Sequence, residues 1–414
     1  MYQRINELRN RINSDNEPLE LNFNNYVNDK DKNVFFYKIG LIGPSRVGKT
    51  SIIAALLDEA QAALAGTNVS IKSFKNKDGS NPTRDRIIST ILDIKTGLDF
   101  SSFQPTGTGT SEPFIFDLEM AIASEEQEKK QAQLRLAILD YPGGWLKEDE
   151  VPPKHEKEWQ KCKTWIKDSS VIIVPIDANL IMEADNQQKN RASRELLQVF
   201  EIEDFVRDWA KGRTMKGESG LLLLVPVKCE TYFDDNGGNN DKSQQLYNRI
   251  HNFYTDVIKA AEQEMSVREG EQQQTSQSTG LIGQLKDGVS KILSSQSPSY
   301  SIEYHPVDTI GCIELANANW KEYTNGELSL NCDYLVRNPA NSHPELKRFG
   351  TIGLLNSICK QIVENRQNIG IFAKFWDFLL DKNKLLADAI NKLSQQKPSP
   401  RFKQIAKGNI SKRL

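Results

Sequence analysis

Cysteine is scarce and scattered in this 414-residue sequence. Cys162, Cys229, Cys312, Cys332 and Cys359 are odd in number and form no C-x-x-C pair. That excludes a disulfide framework and a zinc site of the usual ligand spacing, and it fits a reducing compartment. Histidine is scarcer still. His155, His251 and His343 lie in polar surroundings without ligand spacing, and His305 sits in a strand. No metal site built on imidazole and no Ser/His/Asp or Cys/His arrangement is expected. No apolar run approaches the roughly 20 residues of a membrane-spanning helix. The opening residues, MYQRINELRNRINSDNEPLE, are polar and charged where a signal peptide would be apolar. Net charge is nearly absent: 53 Lys and Arg against 55 Asp and Glu give −2. Such a balance offers no bulk attraction for nucleic acid. It is uneven, however, because residues 391–414 carry seven Lys or Arg and no acid, which leaves −9 for the remainder. A cytoplasmic protein is expected, with peripheral membrane contact left open.

What is present suffices for a sizeable core, with 38% of residues hydrophobic. The length allows two or three domains, or one enlarged α/β domain. Residues 1–33 read as a polar helix and an Asn/Asp-rich linker. An apolar strand at 35–42 leads into a helix over 51–57. Residues 66–105 read as a helical insert with weak alternation at 69–74 and a helix at 83–96. An alternating, half-exposed strand at 113–120 and a more apolar one at 134–140 flank a short polar spacer, which suits an antiparallel hairpin. Continuous apolar runs at 171–177 and 221–227 have the character of central parallel strands. Helices are expected at 154–168, 191–211, 242–265 and 351–366, and a strand at 302–310. Residues 266–280 have a composition that predicts disorder, and 281–293 read as a short amphipathic helix. Alternating strands and helices imply an α/β fold, with a mostly parallel six-stranded sheet, one antiparallel strand and helices on both faces. That domain spans 34–366. A helical extension follows at 367–414. Phe372, Phe375, Trp376, Leu379 and Leu380 form one stripe, continued by Leu385, Leu386, Ala389, Ile390 and Leu393, before a basic tail. The stripe either docks on the domain or a partner, with the tail disordered, or rests with the tail on an anionic membrane surface through 371–414.

One stretch organises the chain. Gly43-Pro44-Ser45-Arg46-Val47-Gly48-Lys49-Thr50 matches G-x-x-x-x-G-K-[ST], with a strand before it and a helix beginning at Ser51. Glycines let backbone N–H groups converge on a phosphate, and the helix N-terminus adds partial positive charge. In such a loop Lys49 reaches the β/γ-phosphates and the Thr50 hydroxyl ligates Mg²⁺. Asp140-Tyr141-Pro142-Gly143, at a strand tip, matches D-x-x-G. Asp140 is the expected Mg²⁺ partner and Gly143 the γ-phosphate sensor. Thr106, Thr108 and Thr110 precede the hairpin, where a switch hydroxyl completes Mg²⁺ coordination; Thr110 lies nearest the strand. Val227-Lys228-Cys229-Glu230 is a degraded N-K-x-D base-reading motif, with Lys228 in place, Glu230 for the aspartate and no asparagine. Thr309 and Ile310 follow the last strand, where a backbone amide can meet the base.

These pieces, in this order over 34–366, resemble the TRAFAC-type, Ras-like P-loop GTPases. Within that group, S-R-V-G-K-T with Asp140-Tyr141-Pro142-Gly143-Gly144-Trp145-Leu146 looks like the bacterial YcjX-like stress-associated proteins, or the large GTPases of bacterial conflict and defence systems. The resemblance implies a P-loop NTPase three-layer sandwich. It implies GTP/GDP and Mg²⁺ as ligands, a protein effector, and a cytoplasmic molecular switch in stress or defence signalling, with peripheral contact at the inner membrane left open. Many such proteins carry Gln after D-x-x-G to orient the attacking water, and this chain has Gly144. Hydrolysis is therefore expected to be slow, or to draw on another residue, with Arg46, Arg84 and Arg86 as candidates. An ATPase of different base preference and a nucleotide-loaded scaffold without turnover are the alternatives.

Overall fold

The computed structural model describes residues 23–26, 34–65, 67–98, 102–103, 112–122, 133–234, 241–266, 298–336, 346, 348–364, 379 and 384–410. Outside them lie the expected N-terminal polar helix, most of the linker that follows it, Thr106, Thr108 and Thr110, the 266–280 tract beyond its first residue, the helix at 281–293, and the aromatic half of the C-terminal stripe except Leu379.

The first half of the chain runs β1 (Val34–Leu41), α1 (Lys49–Leu64), β2 (Val69–Ser73), α2 (Pro82–Leu98), β3 (Ser102–Phe103), β4 (Phe114–Ile122), β5 (Gln133–Asp140), α3 (Glu156–Asp168) and β6 (Val171–Asp177). It continues through α4 (Ala178–Met182), α5 (Gln187–Leu196), α6 (Val199–Lys216), β7 (Gly220–Val227), α7 (Ser243–Phe253) and α8 (Thr255–Met265). Then follow β8 (Ser299–Tyr304), β9 (Ile313–Glu322), β10 (Leu328–Val336), α9 (Thr351–Glu364), α10 (Lys384–Ser394) and β11 (Lys403–Asn409). The fold is α/β. Eight strands form one mixed sheet in the order β11-β8-β7-β6-β1-β5-β4-β2. The pairs from β5 to β8 are parallel, while β4 and β11 run against the rest. Strands β3, β10 and β9 make a second, small sheet.

The central strands form because their sequences have no polar face to show. Every residue of β6 (VIIVPID) and β7 (GLLLLVPV) is buried. One sheet face packs on α1, α2, α9 and α10 through Leu56, Ile87, Leu354 and Ile390. The other packs on α3, α6, α7 and α8 through Trp159, Trp209, Ile250 and Val257. Helix α3 shows why a charged sequence folds there. Its Trp159, Cys162, Trp165 and Ile166 share one buried face, and Glu156 and Glu158 complement the dipole at its start.

Several expectations need correction. The sheet has eight strands, not six. Strand β2, inside the supposed helical insert, pairs with β4. Strand β11, inside the supposedly disordered basic tail, pairs with β8 from Lys403↔Tyr304 to Asn409↔Ser299. Strand β4 is not half exposed: after Phe114 every residue is buried. Its Phe116, Leu118 and Met120 enter the core with α10, while Asp117 is clasped by the Arg135 guanidinium. The strand expected at 302–310 ends at Tyr304. The helix expected over 191–211 breaks at Gln198, in the left-handed region (φ 52), and that over 242–265 breaks at Tyr254. The β9–β10 hairpin has no counterpart in the expectations. In the second half of the stripe, Leu386, Ala389, Ile390 and Leu393 are buried in the sheet's own core, while Leu385 is exposed. Among the described residues no helix is long and apolar enough to cross a membrane.

Candidate functional site

The motif residues converge at the carboxyl ends of the parallel strands, where β1 has β5 on one side and β6 on the other. Crevices of this kind form at such reversal points of α/β sheets. The loop leaves the sheet for a local reason. Ile42 N–H donates to Ile173 O at 2.9 Å. The next rung would need an N–H from residue 175, which is a proline. The chain therefore detaches at Gly43, which lies against the Pro175 ring. Arg46 (φ 63) and Gly48 (φ 100) adopt left-handed conformations and turn the chain into α1 at Lys49.

Lys49 and Thr50 are buried in the first turn of α1. Lys49 Nζ donates to Gly43 O at 2.8 Å and Pro44 O at 3.1 Å, and it lies 5.4 Å from the Tyr141 ring centre. Burial lowers its pKa below the ordinary lysine value, and the Asp140 carboxylate opposes that shift. Thr50 Oγ1 donates to Asp140 Oδ2 at 3.0 Å. The other carboxylate oxygen, Oδ1, is buried without a hydrogen-bond partner. A buried carboxylate oxygen left unsatisfied is costly, and a hard cation prefers oxygen ligands of this kind. The donor set therefore fits Mg²⁺, and Thr50 and Asp140 are the residues that would hold it.

Gly143 lies directly on the loop. A Cβ there would stand 2.0 Å from Ser45 N and 2.3 Å from the Pro44 carbonyl carbon. Only glycine allows two backbones this close. Gly144 differs, since a Cβ there would meet only the tip of the Glu150 side chain, at 3.0 Å. Trp145 is buried beside His155 and Trp159 and anchors the segment after D-x-x-G.

The expected loop residues divide into two groups. Gly43, Pro44, Gly48, Lys49 and Thr50 frame the site, as do Asp140 and Gly143. Val47 is buried and its side chain packs back on Gly43. Ser45 and Arg46 are exposed, and Ser51 is half-buried in the first helical turn.

The base-reading candidates lie across the loop, joined to it through Val227, whose methyl is 3.6 Å from a Cβ built on Gly48. Lys228 is left-handed (φ 59), and its ammonium is paired with Asp177 at the tip of β6. Glu230 is only 2% exposed and accepts from Gly311 N at 3.3 Å. This brings 309–311 together with Glu230. The Ile310 side chain packs instead with Ile94, Leu98 and Ile313, and Thr309 O accepts from Arg348 Nε at 3.3 Å. Beside them Asn179 donates to the Tyr334 hydroxyl at 2.6 Å, clipping β10 onto α4. Asp177 escaped the sequence reading. It ends an apolar parallel strand as Asp140 does, and that shared signal marks both.

No protein-family model matches this chain, and no curated protein matches it significantly.

Proposed function

We propose that this chain binds a nucleoside triphosphate with Mg²⁺ at 43–50 and hydrolyses it slowly, serving as a switch read by a partner protein. The observation that carries the reading is the Thr50–Asp140 pair, 3.0 Å apart, with Asp140 Oδ1 buried and unpartnered and the Asp140 charge acting on the buried Lys49 ammonium. Backbone N–H groups of the loop and the N-terminus of α1 hold the phosphates. Lys49 exchanges its two carbonyl partners for phosphate oxygens, an exchange that its burial favours because a desolvated ammonium gains most from an anion. Bound Mg²⁺ neutralises developing phosphate charge. Gly143 couples the γ-phosphate position to the Gly143–Trp145 segment through its contact with Ser45. Gly144 offers nothing to orient water, which keeps turnover low.

Guanine is the first choice of base, on Lys228 and Glu230 and the adjoining Thr309–Ile310 backbone. One observation favours the second reading, an ATP-preferring protein: Glu230 is buried and already accepts from Gly311 N. Calorimetric titration with GTP, GDP and ATP in Mg²⁺ decides between them. GTP and GDP are expected to bind, with ATP at least tenfold weaker (about 1.4 kcal/mol). Equal or tighter ATP binding retires the guanine reading, and no binding of any of the three retires the site. A cytoplasmic placement fits this chemistry.

A further inference from the structure

The site as described leaves one component of phosphoryl-transfer chemistry without an owner. The triphosphate reacts with water: the water oxygen bonds to the γ-phosphorus and the γ-phosphorus to bridging-oxygen bond breaks. The diphosphate takes that electron pair, and the water proton passes to a released phosphate oxygen. Negative charge builds on the bridging oxygen and the equatorial oxygens, so a cation placed there accelerates the step. Lys49 would serve one side, where Thr50 and Asp140 would hold Mg²⁺. Gly144 supplies nothing on the other.

Helix α2 carries a guanidinium to that side. Its first turn is pinned to β4, because Asp117 N donates to Thr83 Oγ1 at 3.0 Å. One turn later Arg86 reaches over β4, its guanidinium carbon 4.7 Å from the Phe114 ring centre and 5.9 Å from that of Phe116. Phe114 is the cross-strand partner of Asp140. The cation thus stands on the strand next to the carboxylate that fits Mg²⁺. Aromatic faces hold a guanidinium in place but do not neutralise it. Among the described residues Arg86 has no ion-pair or side-chain hydrogen-bond partner. The carboxylates that act on it are Asp140 and Glu112. Burial lowers its pKa below the ordinary arginine value, and those two carboxylates oppose the shift. A half-buried arginine without a bound anion is a costly arrangement to keep. The neighbouring α2 arginine contrasts with it: Arg84 is exposed and lines a groove with Asp58, Gln61 and Lys72, away from the loop.

We infer that Arg86 is a catalytic residue of this site, its guanidinium contacting the transferred phosphoryl group of the triphosphate from the β4 side. The inference rests on the triphosphate reading above. It makes α2 the chain's own source of the cation.

Single-turnover hydrolysis, with whichever of GTP or ATP the wild type binds, tests it in Arg86→Ala, Arg86→Lys and Arg84→Ala. Diphosphate affinity and diphosphate binding in aluminium fluoride are measured beside it. Arg86→Ala is expected to slow turnover about 10³-fold and to abolish the aluminium fluoride enhancement, with diphosphate affinity unchanged within about twofold. Arg86→Lys recovers little, because an ammonium lacks the planar fork. Arg84→Ala behaves as wild type. Unchanged diphosphate affinity in Arg86→Ala also certifies that the variant is folded. If it misfolds, the charge-keeping Arg86→Lys decides alone. Hydrolysis by Arg86→Lys and Arg86→Ala within about threefold of wild type overturns the role of Arg86 and leaves the site intact. If the wild type binds triphosphate but does not hydrolyse it, an unchanged triphosphate-to-diphosphate affinity ratio in Arg86→Ala overturns the contact. Wild type that binds no nucleotide overturns the site reading, and Arg86 with it.

Discussion

Two adjacent glycines show how differently one residue type can be used. Gly143 is required by contact: a methyl there would fall on the backbone of Pro44 and Ser45. Gly144 is not, because its methyl meets only the movable tip of Glu150. Gly143→Ala is therefore expected to destabilise the fold by about 1–3 kcal/mol, as overpacking does, and to weaken triphosphate binding by displacing the loop. Gly144→Ala should stay within about 0.5 kcal/mol of wild type. Urea unfolding with parallel nucleotide titration reads both, and equal effects would refute the distinction. The sequence motif marked Gly143 by its spacing from Asp140. It could not show that the two backbones touch, since that depends on how β1 and β5 deliver their loops. For the same reason Lys228 was legible and its partner was not. Lys228 sits in a recognisable spacing, whereas Asp177 becomes its partner only once β6 and β7 lie side by side with Asp177 opposite Val227.

At the scale of elements, legibility followed burial. Strands β6 and β7 are written as continuous apolar runs because both faces are covered. Strand β11 (KQIAKGN) is an edge with mostly exposed or half-exposed residues, so nothing in its local pattern distinguishes it from a solvated tail. The β9–β10 hairpin is likewise largely exposed. What holds β11 is long-range. Gln404 Nε2 donates to Ser301 Oγ at 2.7 Å, and Ser301 Oγ donates to Glu303 Oε1 at 2.8 Å. Ser357 Oγ of α9 donates to Glu303 Oε2 at 2.6 Å, with His305 Nε2 3.0 Å from the same oxygen. Burial alone would raise the Glu303 pKa, but His305, Ser357 and Ser301 together hold it below the ordinary 4.5. The folded carboxyl thus titrates below the unfolded one. Its stabilisation is complete above the unfolded value and is lost as pH falls through the folded value. Glu303→Gln should lower stability at neutral pH by about 1–3 kcal/mol and flatten its decline from about pH 5 downward. Denaturant unfolding at stepped pH checks this, and an unchanged acid slope would contradict it.

For the whole molecule, ligand and fold are linked. A triphosphate held, as proposed, by loops from β1, β5 and β7 would bind only the assembled sheet. At 100 times its dissociation constant it should add about 2.7 kcal/mol to stability. A thermal melt with Mg²⁺–GTP is expected to move upward, and Asp140→Asn should reduce the shift by weakening the Mg²⁺ contribution. No shift with either GTP or ATP would argue against a triphosphate site. The sheet also has a temporal side. Strand β8 is complete at Tyr304, yet the strand that covers its outer edge begins at Lys403. At about 5–20 residues per second of synthesis, that interval of roughly 100 residues lasts about 5–20 s. For those seconds the nascent chain carries a bare sheet edge at β8 and, at the opposite end of the sheet, an unfilled seat for α10 against β4 and β2. An exposed edge is a template for pairing with other chains. The site residues are thus all synthesised well before the sheet that supports them can close.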